Sequence, residues 1–136
     1  MKPFTLILQD ATRTQRIEQV TSFTGEDDTG SFGILANHAR MMTSLVFGLA
    51  RFRVGEDPWQ YLALPGAALY FDDNQLSLST RRYLLDENYE RISSALQQQL
   101  LAEEQELQQL KKSLQTMEQE VLRRLWETGH DSGLAG

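Results

Sequence analysis

Of the side chains able to move a proton near neutral pH, His38 stands first, because histidine titrates there. It could act as a proton relay or ligate a metal. No second ligand clusters with it, since the other histidine, His130, lies at the far end of the chain. His38 therefore reads as a turn residue beside the core or an interface. Asp27-Asp28 and Asp72-Asp73 offer paired carboxylates for a cation, but neither pair has the alternating ligand spacing of a calcium loop. Both sit among turn-forming residues. With no Cys, the chain can form neither a disulfide framework nor a thiolate metal site. No Walker-type glycine-rich phosphate loop and no nucleophile–base pair is legible. These residues point to no metal and no cofactor, and to no catalysis by the chain alone. What remains is contact with partners. Arg51, Arg53, Arg81 and Arg82 could pair with acidic loops of a partner, whereas Arg123 and Arg124 further along read by themselves as a solvated helix end.

Two kinds of element must position these residues. Residues 1–84 read as β. Phe4–Leu8 is a first strand. Arg16–Phe23 is a second, in which Ile17 and Val20 do not alternate cleanly, the mark of a bulge. Gly25–Gly30 reads as a polar turn. Ser31–Leu35 is a short strand, and Met41–Val54 holds one or two more, interrupted at Gly48. Gly55-Glu56-Asp57-Pro58 is a turn, Trp59–Leu64 a strand, and Pro65-Gly66 the next break. Ala68–Phe71 and Gln75–Thr80 flank a hairpin turn at Asp72-Asp73-Asn74. Short strands at this spacing predict an antiparallel β-sandwich.

At Leu85 the composition changes. Asp86 to Thr128 contains neither Pro nor Gly and is dominated by good helix formers. Asp86 is the expected N-cap and Gly129 the expected stop, with a frayed tail from His130 to Gly136. Tyr89, Ile92 and Leu96 form one apolar stripe. Leu107, Leu110, Leu114, Met117 and Val121 form a heptad seam. The two do not join in phase, and the break lies within Gln97–Glu106. An antiparallel hairpin or one helix with a stutter both explain it. The absence of Gly, Asn or Pro at the break favours one long helix.

The chain has 136 residues, enough for one ordinary domain and little more. The division expected from composition is a β-sandwich over 1–84 and a helical region over 85–136, to which the resemblance given below adds a regulatory role. The apolar run at the N-terminus is too short for a signal peptide, and no segment approaches a membrane span. Net charge is −6, and residues 85–136 hold most of it, with 5 basic and 10 acidic side chains. That balance argues against non-specific nucleic-acid binding and is compatible with a basic protein partner.

The block Gly30-Ser31-Phe32-Gly33-Ile34-Leu35-Ala36-Asn37-His38-Ala39-Arg40-Met41-Met42-Thr43-Ser44-Leu45, inside a β region followed by a long helix, resembles the epsilon subunit of the F-type rotary ATP synthase. Gly30, Gly33, Ile34, Leu35, His38, Ala39, Thr43, Leu45 and Gly48 match the family's usual pattern. Pro65-Gly66 stands where the family has a later Gly-Gly pair. Ala36-Asn37 replaces Pro-Gly, and Arg40 replaces a Pro. In some members an ATP-binding motif of the form Ile/Leu-Asp-x-x-Arg-Ala opens the helix. Leu85-Asp86 matches it, but Tyr89 and Glu90 hold the Arg and Ala positions. These departures suggest a variant F-type ATPase of the kind found beside a conventional one, some of them sodium-translocating.

The resemblance implies a non-catalytic subunit of a proton- or sodium-transporting complex. The sandwich would bind the gamma subunit and the c-ring, with Phe32, Ile34, Leu35, His38, Met41 and Met42 at the interface. The C-terminal helix would reach the alpha/beta catalytic ring and hinder ATP hydrolysis, with Arg123 and Arg124 near its acidic residues. The location implied is the cytoplasmic face of the bacterial inner membrane, peripheral as part of the complex. An alternative from another class is a β-sandwich adaptor that homodimerises through a coiled coil along Leu107–Val121.

Overall fold

Alternation of buried and exposed side chains builds β1 (Phe4–Gln9), whose Phe4, Leu6 and Leu8 point inward. The computed structural model describes residues 2–129 in full and the backbone of 130–135. The expected frayed tail from His130 to Gly136 lies outside the fully described residues. The remaining strands are β2 (Thr14–Asp27), β3 (Gly30–Ile34), β4 (Met41–Leu45), β5 (Gly48–Val54), β6 (Gln60–Leu64), β7 (Ala67–Asp72), β8 (Gln75–Ser79) and β9 (Leu84–Asp86). The pairing order is β1-β8-β7-β4-β2-β5-β6-β9, with β3 beside β2 and a further β1–β2 pairing. Among the described residues, only β1 and β8 run parallel. The expected sandwich, followed by a helical region, is what forms.

β2 joins the two layers. Its first part pairs with β1, its middle with β5 and its end with β3. The register slips on both sides near Val20, and Gln19 takes φ 64°. This is the bulge that the broken alternation of Ile17 and Val20 implied, and it bends a 14-residue strand from one layer into the other. Thr21 secures the bend by donating its hydroxyl to the Gly55 carbonyl at 2.9 Å. Between the layers, Phe23, Phe52, Phe71, Leu6, Leu62, Leu69 and Leu76 are fully buried. The Asp73-Asn74 hairpin turn has positive φ at both residues (49° and 57°), the geometry a tight hairpin requires.

One expectation fails inside this layer. Gly25–Gly30 is not a turn throughout, because β2 continues to Asp27 and only Asp28-Thr29 turn the chain. Gly25 is glycine for close packing. A Cβ there would sit 2.9 Å from the Phe23 ring. Asp27 shapes the turn by accepting the Thr29 N–H at 2.9 Å and, on its other oxygen, the Thr43 hydroxyl at 3.0 Å. The Thr29 hydroxyl, then the Thr29 N–H, with the Thr43 hydroxyl adding to them, hold its carboxyl below the usual value, and these bonds shape the turn.

Past β9 the chain is one long helix rather than a hairpin. It comprises α1 (Tyr89–Ala95), a π turn (Leu96–Leu100) and α2 (Leu101–Ala135). Three local expectations change. The N-cap is Asn88, whose side chain accepts the Arg91 N–H, and not Asp86, which is the last residue of β9. A cap must sit one residue before the first helical turn, and β9's pairing with β6 holds Asp86 two residues too early. The phase break is a π turn. Gly129 does not stop α2; glycine in a helix costs about 1 kcal/mol, which weakens a helix without ending it.

The chain divides into two compact units, Met1–Leu101 and Ala102–Gly136. In the first, Ile92 and Leu100 are buried with Ala63, and Leu84, Leu96 and Tyr61 pack around them. This second, small core covers the outer face of β6. The compositional step at Leu85 thus falls inside β9.

Candidate interface surfaces

The matched block ends β3 and turns at Leu35–Arg40. Asn37 adopts φ 66°, a conformation in which Asn is favoured over most side chains. Its N–H donates to Asn74 Oδ1 at 2.6 Å, and Asn74 Nδ2 donates back to Asn37 Oδ1 at 3.0 Å. Two left-handed asparagines therefore tie this turn to the β7–β8 hairpin. The His38 ring stands edge-on to Phe71, 5.8 Å between centroids. Its Nδ1 lies 2.6 Å from the Ala39 carbonyl. A carbonyl only accepts, so Nδ1 carries the proton in that contact. His38 is exposed and built into a turn, as its sequence company implied.

The six residues expected at an interface do not share one environment. Leu35 is 50 % exposed and Met42 75 %, and His38 is exposed beside them in sequence. Phe32 and Met41 are half-buried against the main core. Ile34 is fully buried, so it has no surface to offer a partner and is corrected to a core residue. The reason is period two. Phe32 and Ile34 share the inward face of β3, while Ser31 and Gly33 face out. Sequence reading missed Val46, which is 38 % exposed just past β4, and the stacking of Arg40 over Tyr70 at 5.7 Å. The alternation of β4, once its register on β7 is known, is the signal that separates outward Met42 from inward Leu45.

The arginines are less available than their sequence suggests. Arg51 lies over the Trp59 ring at 4.5 Å. Arg53 donates to the carbonyls of Asp57 (2.8 Å) and Glu56 (2.9 Å), closing the loop after β5. Arg82 reaches Gln99 at 3.3 Å, and Arg81 is exposed. Tyr61 meets Tyr89 edge-on at 5.4 Å, where α1 begins. Among the described residues no three His, Asp or Glu side chains converge as a metal set.

The unit from Ala102 onward has a different character. Leu110, Leu114, Met117 and Val121 are 55–61 % exposed, as are Leu122, Leu125 and Trp126 beyond them (57–67 %). In a soluble helix such positions normally face a core. Arg124 pairs with Glu120 one turn back at 3.2 Å, and Arg123 is exposed.

The structure is thus a nine-stranded sandwich followed by one long helix with exposed apolar side chains. The family described as ATP synthase, Delta/Epsilon chain, beta-sandwich domain matches residues 4–85. The chain belongs to that family. It is 32% identical over 89 residues to "ATP synthase epsilon chain 2" of Cereibacter sphaeroides, covering 65% of this chain and 61% of that one. It is 36% identical over 61 residues to the ATP synthase epsilon chain of Synechocystis sp., covering 45% of this chain and 44% of that one. The chain thus spans between two fifths and two thirds of the length of these relatives. Among solved structures, a chain of the Euglena gracilis mitochondrial ATP synthase, OSCP/F1/c-ring, aligns with TM-score 0.58 at 17% identity, covering 70% of this chain and 62% of that one. A chain of the Tetrahymena thermophila mitochondrial ATP synthase central stalk and c-ring aligns with TM-score 0.52 at 12% identity, covering 59% and 64%. At those identities the likeness is one of fold.

Proposed function

We propose that this chain is the non-catalytic epsilon subunit of the central stalk of an F-type ATP synthase, of the variant kind that exists beside a conventional enzyme. Its sandwich bridges the gamma subunit and the c-ring, so that ion flow and ATP turnover stay coupled. The exposed subset Leu35, His38 and Met42 carries that contact, with Phe32 and Met41 supporting it from the half-buried layer. The C-terminal helix, with Arg123 and Arg124, engages the alpha/beta catalytic ring and restrains ATP hydrolysis. The chain sits peripherally at the cytoplasmic face of the bacterial plasma membrane. Among the described residues no helix is long and apolar enough to cross a membrane.

The observation that carries this reading is the pairing of a family-matched sandwich with a helix whose apolar face is exposed. Similarity to relatives called ATP synthase epsilon chain, and likeness of fold to a chain of an ATP synthase central stalk and c-ring, support it. Co-expression with the cognate gamma subunit, read by size exclusion with light scattering, tests it. A one-to-one complex is expected. A free monomer beside gamma overturns the reading. A homodimer instead supports a coiled-coil adaptor joined along Leu107–Val121. The regulatory part is tested by truncation after Leu101. Assembly and synthesis are expected to persist while hydrolysis changes; loss of assembly would make the helix structural.

A further inference from the structure

The helix is continuous in sequence but not in environment. Ile92 is 1 % exposed and Leu100 0 %, whereas Leu107 is 41 % exposed and the apolar residues beyond it more so. The change follows the π turn directly, and the division into compact units falls one residue later, at Leu101/Ala102.

The π turn brings Leu100 closer to the line of Ile92. An α-helix turns about 100° per residue, so eight residues would leave Leu100 roughly 80° away from Ile92 around the axis. A π turn holds one residue more per turn. The eight-residue step then behaves as a seven-residue one, and the offset shrinks to about 20°. Leu101 N–H donates to Leu96 O, the bond that closes the wide turn. The extra residue returns Leu100 to the face that Ile92 already lays over Ala63. Three polar or aromatic contacts hold the same stretch: Arg91 on Asp86, Tyr89 on Tyr61, and Gln99 accepting from Arg82.

We propose that the π turn divides the helix functionally. Tyr89–Leu100 is a permanent part of the sandwich head in every state of the subunit, and only the segment from Leu101 onward is open to partners or to rearrangement. The regulatory element, on the function proposed above, is therefore the segment past the π turn and not the whole region past β9. The phase break is its boundary marker.

Hydrogen exchange on the full isolated chain tests this without any ATP synthase partner, so its failure is separate from failure of the functional reading. Amides of Ile92–Leu100 are expected to exchange about 100-fold more slowly than those of 107–125, at rates near those of β6. Equal exchange across 89–129 would overturn the division. Deletion of Gln98 makes the step from Ile92 to Leu100 a true seven-residue α-helical one, which keeps Leu100 about 20° from Ile92, so 92–100 is expected to stay protected while 107–125 still exchanges fast. Raised exchange in 92–100 after that deletion would show that the face shared by Ile92 and Leu100 is not what holds this stretch to the head. Brief trypsin digestion gives an independent reading. Cleavage is expected at Lys111, Lys112, Arg123 and Arg124 with Arg91 spared, and early cleavage at Arg91 would overturn the proposal.

Discussion

Arg91 grips Asp86 with both prongs of its guanidinium: Nη2 donates to Oδ1 at 2.8 Å and Nε donates to Oδ2. The pair ties the last residue of β9 to the first turn of α1. Oδ1 also accepts the Asn88 N–H at 2.9 Å, so the same carboxylate shapes the entry to the helix. The strand-to-helix junction is thus held by one aspartate with three donors.

That relationship sets a pH dependence. The Arg91 hydrogen bonds, then the Asn88 N–H, lower the Asp86 carboxyl from 3.8 to about 2. A folded-state value below the unfolded one adds stability above the unfolded value, and that stability is lost as pH falls through the folded one. The junction is expected to hold above about pH 4 and to loosen progressively down to about pH 2. Carboxyl carbon NMR titration should place the Asp86 midpoint near 2 in the folded chain. In Asp86→Asn the exchange protection of α1 should be lower at neutral pH and should lose most of its change between pH 4 and 2. A midpoint near 4 would contradict the pairing.

Truncation separates the head from the helix. A chain ending at residue 84 removes most of β9 and uncovers Ala63. It gives up the burial of Ile92 and Leu100, each worth about 1.5–3 kcal/mol as an upper figure. A chain ending at residue 101 keeps all of this. Both are expected to fold as sandwiches, the shorter one less stable by about 3–6 kcal/mol. Urea denaturation followed by tryptophan fluorescence from Trp59 measures the difference. Equal stability would mean that α1 adds nothing to the head, and an unfolded 1–84 chain would make the helix start part of the minimal domain.

The proposed interface and the core separate within the block Gly30–Leu45. Ile34→Ala is expected to cost about 2–5 kcal/mol, because Ile34 is fully buried in the main core. Met42→Asp is expected to change stability by under about 0.5 kcal/mol, because Met42 is three-quarters exposed. The same Met42→Asp chain should bind gamma or the c-ring at least about tenfold more weakly, as a charge placed in an interface core does. Normal assembly of Met42→Asp would remove Met42 from the contact.

Most of the sandwich was legible because period-two alternation and turn residues report strands directly. The bulge in β2 was legible too, since Ile17 and Val20 break the alternation just where Gln19 takes positive φ. Three features were not. β9 is only three residues, Leu84-Leu85-Asp86, too few to show a period, and its existence depends on β6 lying alongside. Asp86 has the chemistry of an N-cap, and only its pairing with Tyr61 shows that Asn88 must cap instead. Ile34 belongs to a block whose resemblance concerns contacts with partners, and its burial is a matter of which face β3 turns inward. The phase break between the two helical stripes was visible as a mismatch. That it takes the form of a π turn rests on the buried surface near Ala63, which local sequence does not carry.

The junction also bears on nucleotide binding. In the ATP-binding pattern of the resembled family, an Asp and an Arg three residues later open the helix. Here Tyr89 holds the Arg position and its ring packs edge-on against Tyr61. Asp86 is already committed to Arg91 and to the Asn88 N–H. Freeing the carboxylate for a ligand would break three charge-assisted bonds, the stronger kind of hydrogen bond, before any were gained. The chain is therefore expected to show no micromolar affinity for ATP by calorimetry at neutral pH, with or without magnesium. Tyr89→Arg alone is not expected to create it, because Arg91 remains on Asp86. The double variant Tyr89→Arg with Arg91→Ala frees the carboxylate and supplies the missing cation. Tight binding by the unaltered chain would show that the Asp86–Arg91 pair opens for a ligand.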